Sequence, residues 1–284
     1  MSAPLSGPYA GGGHVVKIAF IGFGEVGQTF AAEFLKFRGV SVSAFDIQFA
    51  PNGGLLRDRA EALGVEAVDC PSEGAQGADV VISAVTADQC EAAAVTAADY
   101  ISAGQFFFDI NSASPNTKRR AAVHIEIAGG SYIEGAVMAA VTVPKLQVPI
   151  LAGGDGAAIL ATRLNALGMN IKPVATEVGR ASATKLCRSI IIKGLEALLC
   201  DCSAAARDSN VADDVYRSLS ETFPSIDWPS LALSMRERVE KHGIRRAAEM
   251  REAADMLDEL GYDSRLARAV ADRQEIGASV KSTR

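Results

Sequence analysis

The sequence predicts an α/β chain, with a mostly parallel sheet wound with helices over residues 15–176 and an all-helical domain over 177–284. Three observations predict it. Short continuous apolar runs alternate with helical patterns up to about Thr176, a glycine-rich turn directly follows the first run, and no strand-like run is evident afterwards. Strands and helices must alternate in such a sheet because each parallel crossover has to return over one of its faces.

Residues 1–14 have neither the apolar core of a signal segment nor the arginines of a transit peptide, and read as a flexible tail. The expected location is the cytoplasm. VVKIAFIG then reads as a strand covered on both faces. Val26, Phe30, Phe34 and Phe37 follow at helical spacing and give the next segment a buried side. VSVSAFD is a second strand ending in Asp46, ADVVISAV a third and QFFFDI a fourth, with LQVPILAGG and NIKPVAT as later ones. Ser182 to Arg207 contains no proline and one glycine, and reads as a long, buried helix apolar around most of its circumference. PSLALSMRERVEKHG and IRRAAEMREAADMLDELG read as further helices, with apolar residues recurring at three and four.

Composition narrows the function. With 49% hydrophobic and 22% charged residues, the chain has the profile of a soluble globular protein. Its net charge of -6 comes with no basic stripe interleaved with aromatics, so nucleic acid is not an expected partner. The longest apolar runs carry charges and fall short of the roughly 20 residues that span a bilayer, so no membrane association is expected. Five cysteines without a C-x-x-C pair suggest reduced thiols, and three histidines without ligand spacing argue against a metal site.

FIGFGEVGQTF has the spacing G-x-G-x-x-G at Gly22, Gly24 and Gly27, a weak pattern by itself. Its context, between a strand and a helix, makes it the turn of a Rossmann dinucleotide-binding domain. Gly22 permits the tight turn, Gly24 lets the backbone approach a pyrophosphate, and Gly27 lets the helix pack against the strand. The free amides of Phe23, Glu25 and Val26 then lie in the phosphate cradle at the helix N-terminus. Asp46, about 24 residues beyond Gly22, is placed to accept from a ribose hydroxyl and to repel a 2'-phosphate. NAD is therefore the expected cofactor, while Arg57 and Arg59 downstream leave NADP open.

Within the long helix, Lys185, Ser189, Lys193 and Glu196 fall in one sector of about 80°. That sector reads in two ways. It is a polar pocket, since desolvating an unpaired lysine is costly, or a solvated edge with a Lys193–Glu196 surface pair.

The helix opens with GRASATKLCRS, which resembles the G-x-G-x-x-x-K-x-x-x-N segment of the β-hydroxyacid dehydrogenase superfamily, the group including 3-hydroxyisobutyrate and 6-phosphogluconate dehydrogenases. The resemblance covers both domains. Gly179 and Lys185 match, Ala181 replaces the second glycine, and Ser189 stands where asparagine is usual. KLCRS, KGLEALL and HGIRRAAEM resemble more closely a less characterised branch with a phosphogluconate-dehydrogenase-like C-terminal domain. The resemblance implies that Lys185 is the acid/base residue and that Ser189 contacts substrate. SAVTADQ implies cofactor contacts for Val85 and Thr86. DINSASP resembles the family's D-x-S-T-x-x-P segment, which implies that Asn111 and Ser112 lie beside the nicotinamide and that Ser112 orients the substrate, although Ser114 before Pro115 is also a good helix N-cap.

Two departures bear on the substrate. The family's D-A-P-V-S-G-G segment, whose serine and glycines hold a carboxylate, reads EGAVMAA here, with Met138, Ala139 and Ala140 in place of S-G-G. The late K-D-L segment is replaced by IRRAAEM, leaving Arg245 or Arg246 as stand-ins. The expected function is an NAD(P)-dependent dehydrogenase or reductase acting on the CH–OH group of a small hydroxy acid or related polar alcohol, its identity left open. An imine reductase on the same scaffold is an alternative, against which Lys185 weighs. A non-catalytic dinucleotide-binding protein is the other, favoured by the loss of S-G-G. A long apolar helix opening the second domain implies a homodimer.

Overall fold

The computed structural model describes residues 16–49 and 54–279. The tail expected over 1–14 lies outside the described residues. The chain divides into two compact units, with the boundary between Lys185 and Leu186.

In the first unit the strands are β1 (Val16–Ile21), β2 (Val40–Phe45), β3 (Glu66–Ala67), β4 (Val80–Ser83), β5 (Phe106–Asp109), β6 (Ser131–Val137), β7 (Pro149–Gly153) and β8 (Asn170–Ala175). They form one sheet in the order β3-β2-β1-β4-β5-β6-β7-β8. Every neighbouring pair is parallel except β6 with β7. The winding reverses between β1 and β4, so their carboxyl ends form the crevice where open α/β sheets bind ligands.

The continuous apolar runs have a direct cause. Ile18, Phe20, Val80, Ile82, Phe106 and Phe108 enter one core together with Phe30 and Phe34 of helix α1 (Glu25–Phe34). Ala19, Ile21, Val81 and Phe107 enter a second core against α4 (Cys90–Ala97) and α5 (Pro115–Ile127). Alternate residues of each strand thus meet a different helical layer.

The sheet has two strands that the sequence reading did not include. β3 is only two residues long. β6 is interior to the sheet, but its run SYIEGAV carries Tyr132 and Glu134, both buried, which interrupt the apolar pattern.

The second unit is helical. It holds most of α7 (Arg180–Asp208), then α8 (Ala212–Thr222), α9 (Trp228–Glu259) and α10 (Arg265–Ser279). Two expectations need correction. The helices read as separate on either side of Gly243 are one continuous helix, α9. A Cβ on Gly243 would stand 2.2 Å from the Gln274 carbonyl oxygen of α10, so the glycine permits close helix approach and does not mark a break. The apolar surface of α7 is also not fully buried, since Ile191 is 70% and Leu198 68% exposed.

Candidate functional site

The glycine turn carries its own structural justification. Gly22 has φ 91°, and a Cβ there would lie 2.5 Å from the carbonyl oxygen of Ala84, just past β4. A Cβ on Gly27 would lie 2.7 Å from the Gly22 carbonyl oxygen. Both positions therefore require glycine. Gly24 differs, because a side chain there would meet nothing within 4 Å. It is the exposed N-cap residue of α1, and no side chain caps that helix. An open approach to uncapped first-turn amides fits a diphosphate.

The turn is fixed to β2. Phe23 N donates to Asp46 Oδ2 at 2.7 Å, and Gln48 N donates to Asp46 Oδ1 at 2.8 Å. Each carboxylate oxygen retains a further lone pair for a hydroxyl donor. Phe23 is buried edge-on to Phe49, with centroids 5.9 Å apart. Glu25 is exposed, and Val26 packs against the first core. Arg57 lies over the Phe49 ring, donates to the Ala67 carbonyl oxygen and pairs with Asp69. Its guanidinium thus already contacts three groups of the first unit. Arg59 is exposed.

Val85 packs against the second core, and exposed Thr86 begins a short 3-10 turn, Ala87–Gln89. Past β5, Asn111 is buried and donates through Nδ2 to Ser83 Oγ at 2.9 Å, while its buried Oδ1 has no hydrogen-bond partner among the described residues. A buried amide oxygen at a strand's carboxyl end suits a polar donor from a bound cofactor. Ser114 caps α5, accepting from Thr117 N. Met138 follows β6, its backbone N donating to the Pro149 carbonyl oxygen.

Ser112 is half-buried, and Lys185 Nζ donates to its Oγ at 2.5 Å. The helix bearing Lys185 is docked by a residue absent from the sequence reading. Glu134 Oε1 accepts from Gly179 N at 2.7 Å and Ala181 N at 2.9 Å, and Oε2 accepts from Ser182 N and Ser182 Oγ.

A second missed group lies at the end of β5. Asp109, fully buried, accepts from Lys118 Nζ at 2.6 Å on Oδ1, and from Tyr132 OH at 2.6 Å and Cys90 Sγ at 3.0 Å on Oδ2. Asn111 N also donates to Oδ1. Burial, and then the charge of Asp109, push the Tyr132 phenol well above its ordinary range. Burial likewise pushes the Cys90 thiol up. Lys118 sits in TKRRAA, which gives no periodic sign that one of its three cations is buried.

In the second unit, Ser189 is buried and accepts from Lys193 Nζ at 2.9 Å. The Lys193–Glu196 surface pair does not form. Lys193, itself buried, pairs with Glu249 at 2.6 Å, whereas fully buried Glu196 accepts from Arg246 Nη1 at 2.8 and 2.9 Å and from Gln274 Nε2 at 3.0 Å. The polar sector is an internal network across α7, α9 and α10. Arg246 is consequently committed to Glu196, while exposed Arg245 lies 3.8 Å from Glu249. Among the described residues, no group of three or more His, Cys, Asp or Glu could hold a metal ion, and no helix is long and apolar enough to cross a membrane.

Residues 17–174 match the family described as the NAD binding domain of 6-phosphogluconate dehydrogenase, and residues 206–276 match a domain of unknown function, DUF1932. A crystal structure of a conserved hypothetical protein from Sinorhizobium meliloti 1021 is 38% identical, with 98% of this chain and 93% of that one covered and a TM-score of 0.82. The conserved protein MTH1747, described as of unknown function and structurally similar to 3-hydroxyacid dehydrogenases, is 32% identical, with 92% and 98% covered and a TM-score of 0.75. A Mycobacterium tuberculosis 3-hydroxyisobutyrate dehydrogenase with L-serine shares the fold at 19% identity, with 95% and 94% covered and a TM-score of 0.74.

Proposed function

Because this chain belongs to the β-hydroxyacid dehydrogenase superfamily, we propose that it is an NAD(P)-dependent oxidoreductase acting on the CH–OH carbon of a small hydroxy acid or related polar alcohol, with Lys185 as the acid/base. The observation that carries this reading is the Lys185–Ser112 hydrogen bond, in the same unit as the glycine turn. A bound nicotinamide supplies the hydride acceptor or donor. The chain supplies the rest. First-turn amides of α1 at Glu25 and Val26 would hold the phosphates, the amides of Gly22 and Phe23 being taken by the Phe45 carbonyl oxygen and by Asp46. Asp46 would take the ribose hydroxyls, Val85 and Thr86 would cover the cofactor, and Asn111 would meet its amide end.

In the oxidative direction the neutral Lys185 amine accepts the substrate's hydroxyl proton; in reduction the ammonium returns it. Ser112 Oγ accepts from Lys185, which leaves the Ser112 hydroxyl hydrogen for the substrate. Met138 forms an apolar wall where relatives hold a carboxylate. The assembly in this reading is a homodimer in the cytoplasm, with a second copy covering Ile191 and Leu198, which lie seven residues apart on one side of α7.

The test is reduction of NAD and NADP over a panel of hydroxy acids, sugar acids and amino alcohols, with imines tested in the reverse direction. The expected result is turnover that includes substrates with an uncharged or bulkier group beside the reacting carbon. Turnover of imines alone, or NADH binding without turnover of any member, would reject the reading. Turnover restricted to compact 3-hydroxy carboxylates would reject the role of Met138. Cofactor choice is a separate expectation. The Asp46 carboxylate beside a 2'-phosphate should make NADH bind at least about tenfold tighter than NADPH, and Asp46→Ser should narrow the gap. Calorimetric dissociation constants favouring NADPH would contradict it.

A further inference from the structure

Asp109 and Glu134 are register partners on the parallel strands β5 and β6. Paired positions on neighbouring strands project to the same face, about 4.8 Å apart. Each of these buried carboxylates organises a different side of the Lys185–Ser112 contact.

Asp109 governs Ser112. Its Oδ1 accepts from Asn111 N at 3.0 Å, which ties down the residue directly before Ser112. Asp109 is itself held from three elements, by Lys118 of α5 on Oδ1 and on its carbonyl oxygen, by Tyr132 of β6, and by Cys90 of α4. Glu134 governs Lys185. It accepts four hydrogen bonds from Gly179, Ala181 and Ser182, taking up donors that a helix N-terminus otherwise leaves orphaned. Lys185 lies three residues beyond Ser182, within the next turn of α7.

The neighbouring strand is shaped around this arrangement. Gly153 pairs with Glu134 across β6 and β7, and a Cβ on it would stand 2.6 Å from Glu134 Oε1 and 2.9 Å from the Glu177 carbonyl oxygen. Any side chain there would displace the carboxylate or the segment entering α7.

We propose that Glu134 is the positioning residue for Lys185, and that with Asp109 it forms a paired-carboxylate platform through which the sheet sets the Lys185–Ser112 distance. The proposal rests on the reading of Lys185 as the acid/base, but its first test does not. Glu134→Gln keeps size while turning one acceptor into a donor that faces amide hydrogens. Its effect is read on the full-length protein, without substrate, from the rate at which trace acetic anhydride acetylates Lys185, followed by mass spectrometry with Lys36 and Lys145 as internal references. Ser112→Ala calibrates what loss of the contact looks like.

The expected result is a change in Lys185 acetylation by at least about threefold in Glu134→Gln, in the same direction as Ser112→Ala, with both references unmoved. Wild-type reactivity of Lys185 in a folded Glu134→Gln protein would overturn the proposal. If that variant does not fold, Ser182→Ala, which removes the side-chain donor to Glu134 Oε2 and keeps the carboxylate, must shift Lys185 in the same direction; an unshifted Lys185 there overturns it equally.

A turnover arm separates positioning from general structure. With a substrate from the panel, Glu134→Gln should lower kcat about tenfold or more while the NADH dissociation constant holds, and should cost less than about twofold in a Lys185→Ala background. Equal losses in both backgrounds would overturn the proposal. A reactivity change at Lys185 with no turnover of any panel member would sink the functional reading and leave the positioning intact.

Discussion

Lys185→Ala should lower kcat by about a hundredfold to ten-thousandfold, the usual range for removing a positioned acid/base group. In the proposed reading the effect belongs on kcat, because the amine would meet the substrate's proton during reaction, whereas the dinucleotide would be bound by groups elsewhere in the first unit. Its phosphates would meet the uncapped first-turn amides of α1, and the glycine turn before them is tied to Asp46 without help from Lys185. The NADH dissociation constant should therefore stay within about twofold. Steady-state kinetics on the best panel substrate, with NADH binding followed by fluorescence, checks both halves. A kcat within about fivefold of wild type would remove Lys185 from the chemistry.

The second large effect is on stability. Lys118 and Asp109 are both fully buried, and the Lys118 ammonium is bound to the carboxylate and to the backbone carbonyl of the same residue. Lys118→Met keeps most of the stem's volume but leaves a buried carboxylate without its counter-ion. Breaking such a pair from one side typically costs about 3–5 kcal/mol. Tyr132 and Cys90 still donate to the other carboxylate oxygen, which places the expected loss toward the lower part of that range. Asp109→Asn combined with Lys118→Met removes both charges, and should be less destabilised than the sum of the two single variants. Urea unfolding of the four proteins makes the comparison. A Lys118→Met loss below about 1 kcal/mol would contradict a buried ion pair.

The parts of this fold that could be read from sequence are those where local pattern and tertiary environment agree. β1, β4 and β5 send apolar side chains into both cores and β2 into the first, so runs of three to six apolar or small residues suffice to mark them. β6 escaped because its interior residues are chosen by long-range partners. Tyr132 is there for Asp109 and Glu134 for the start of α7, and neither partner is near in sequence. Gly243 was misread for the complementary reason. Its local preference is to interrupt a helix, but the approach of α10 makes a side chain there impossible.

The same division holds at the site. The glycine turn is legible because its backbone geometry dictates glycine at fixed offsets, as the close approaches at Gly22 and Gly27 show, and Asp46 because it ends the neighbouring strand beside that turn. Lys185 and Ser112 are legible only through the family resemblance, since 73 residues separate them. Helical spacing alone suggested that Lys193 pairs with Glu196, three residues on. The structure gives each a partner on α9, Glu249 and Arg246, because a buried charge must be paired and hydrogen-bonded, and the packed helices offer closer partners than the local i, i+3 position. The Asp109–Lys118 pair left no trace in the sequence beyond a cluster of cations that resembles any solvated helix surface.

A proton passing through Lys185 is the claim on which this mechanism stands, and Lys185→Arg tests it most directly. Arginine keeps the positive charge and hydrogen-bonding capacity toward Ser112, but cannot give up a proton near neutral pH. If the amine relays the proton, kcat of Lys185→Arg should fall to within about tenfold of Lys185→Ala while NADH affinity holds. If Lys185→Arg instead retains most of the wild-type kcat, the helix contributes a charge and no proton, and the acid/base role assigned to Lys185 is wrong.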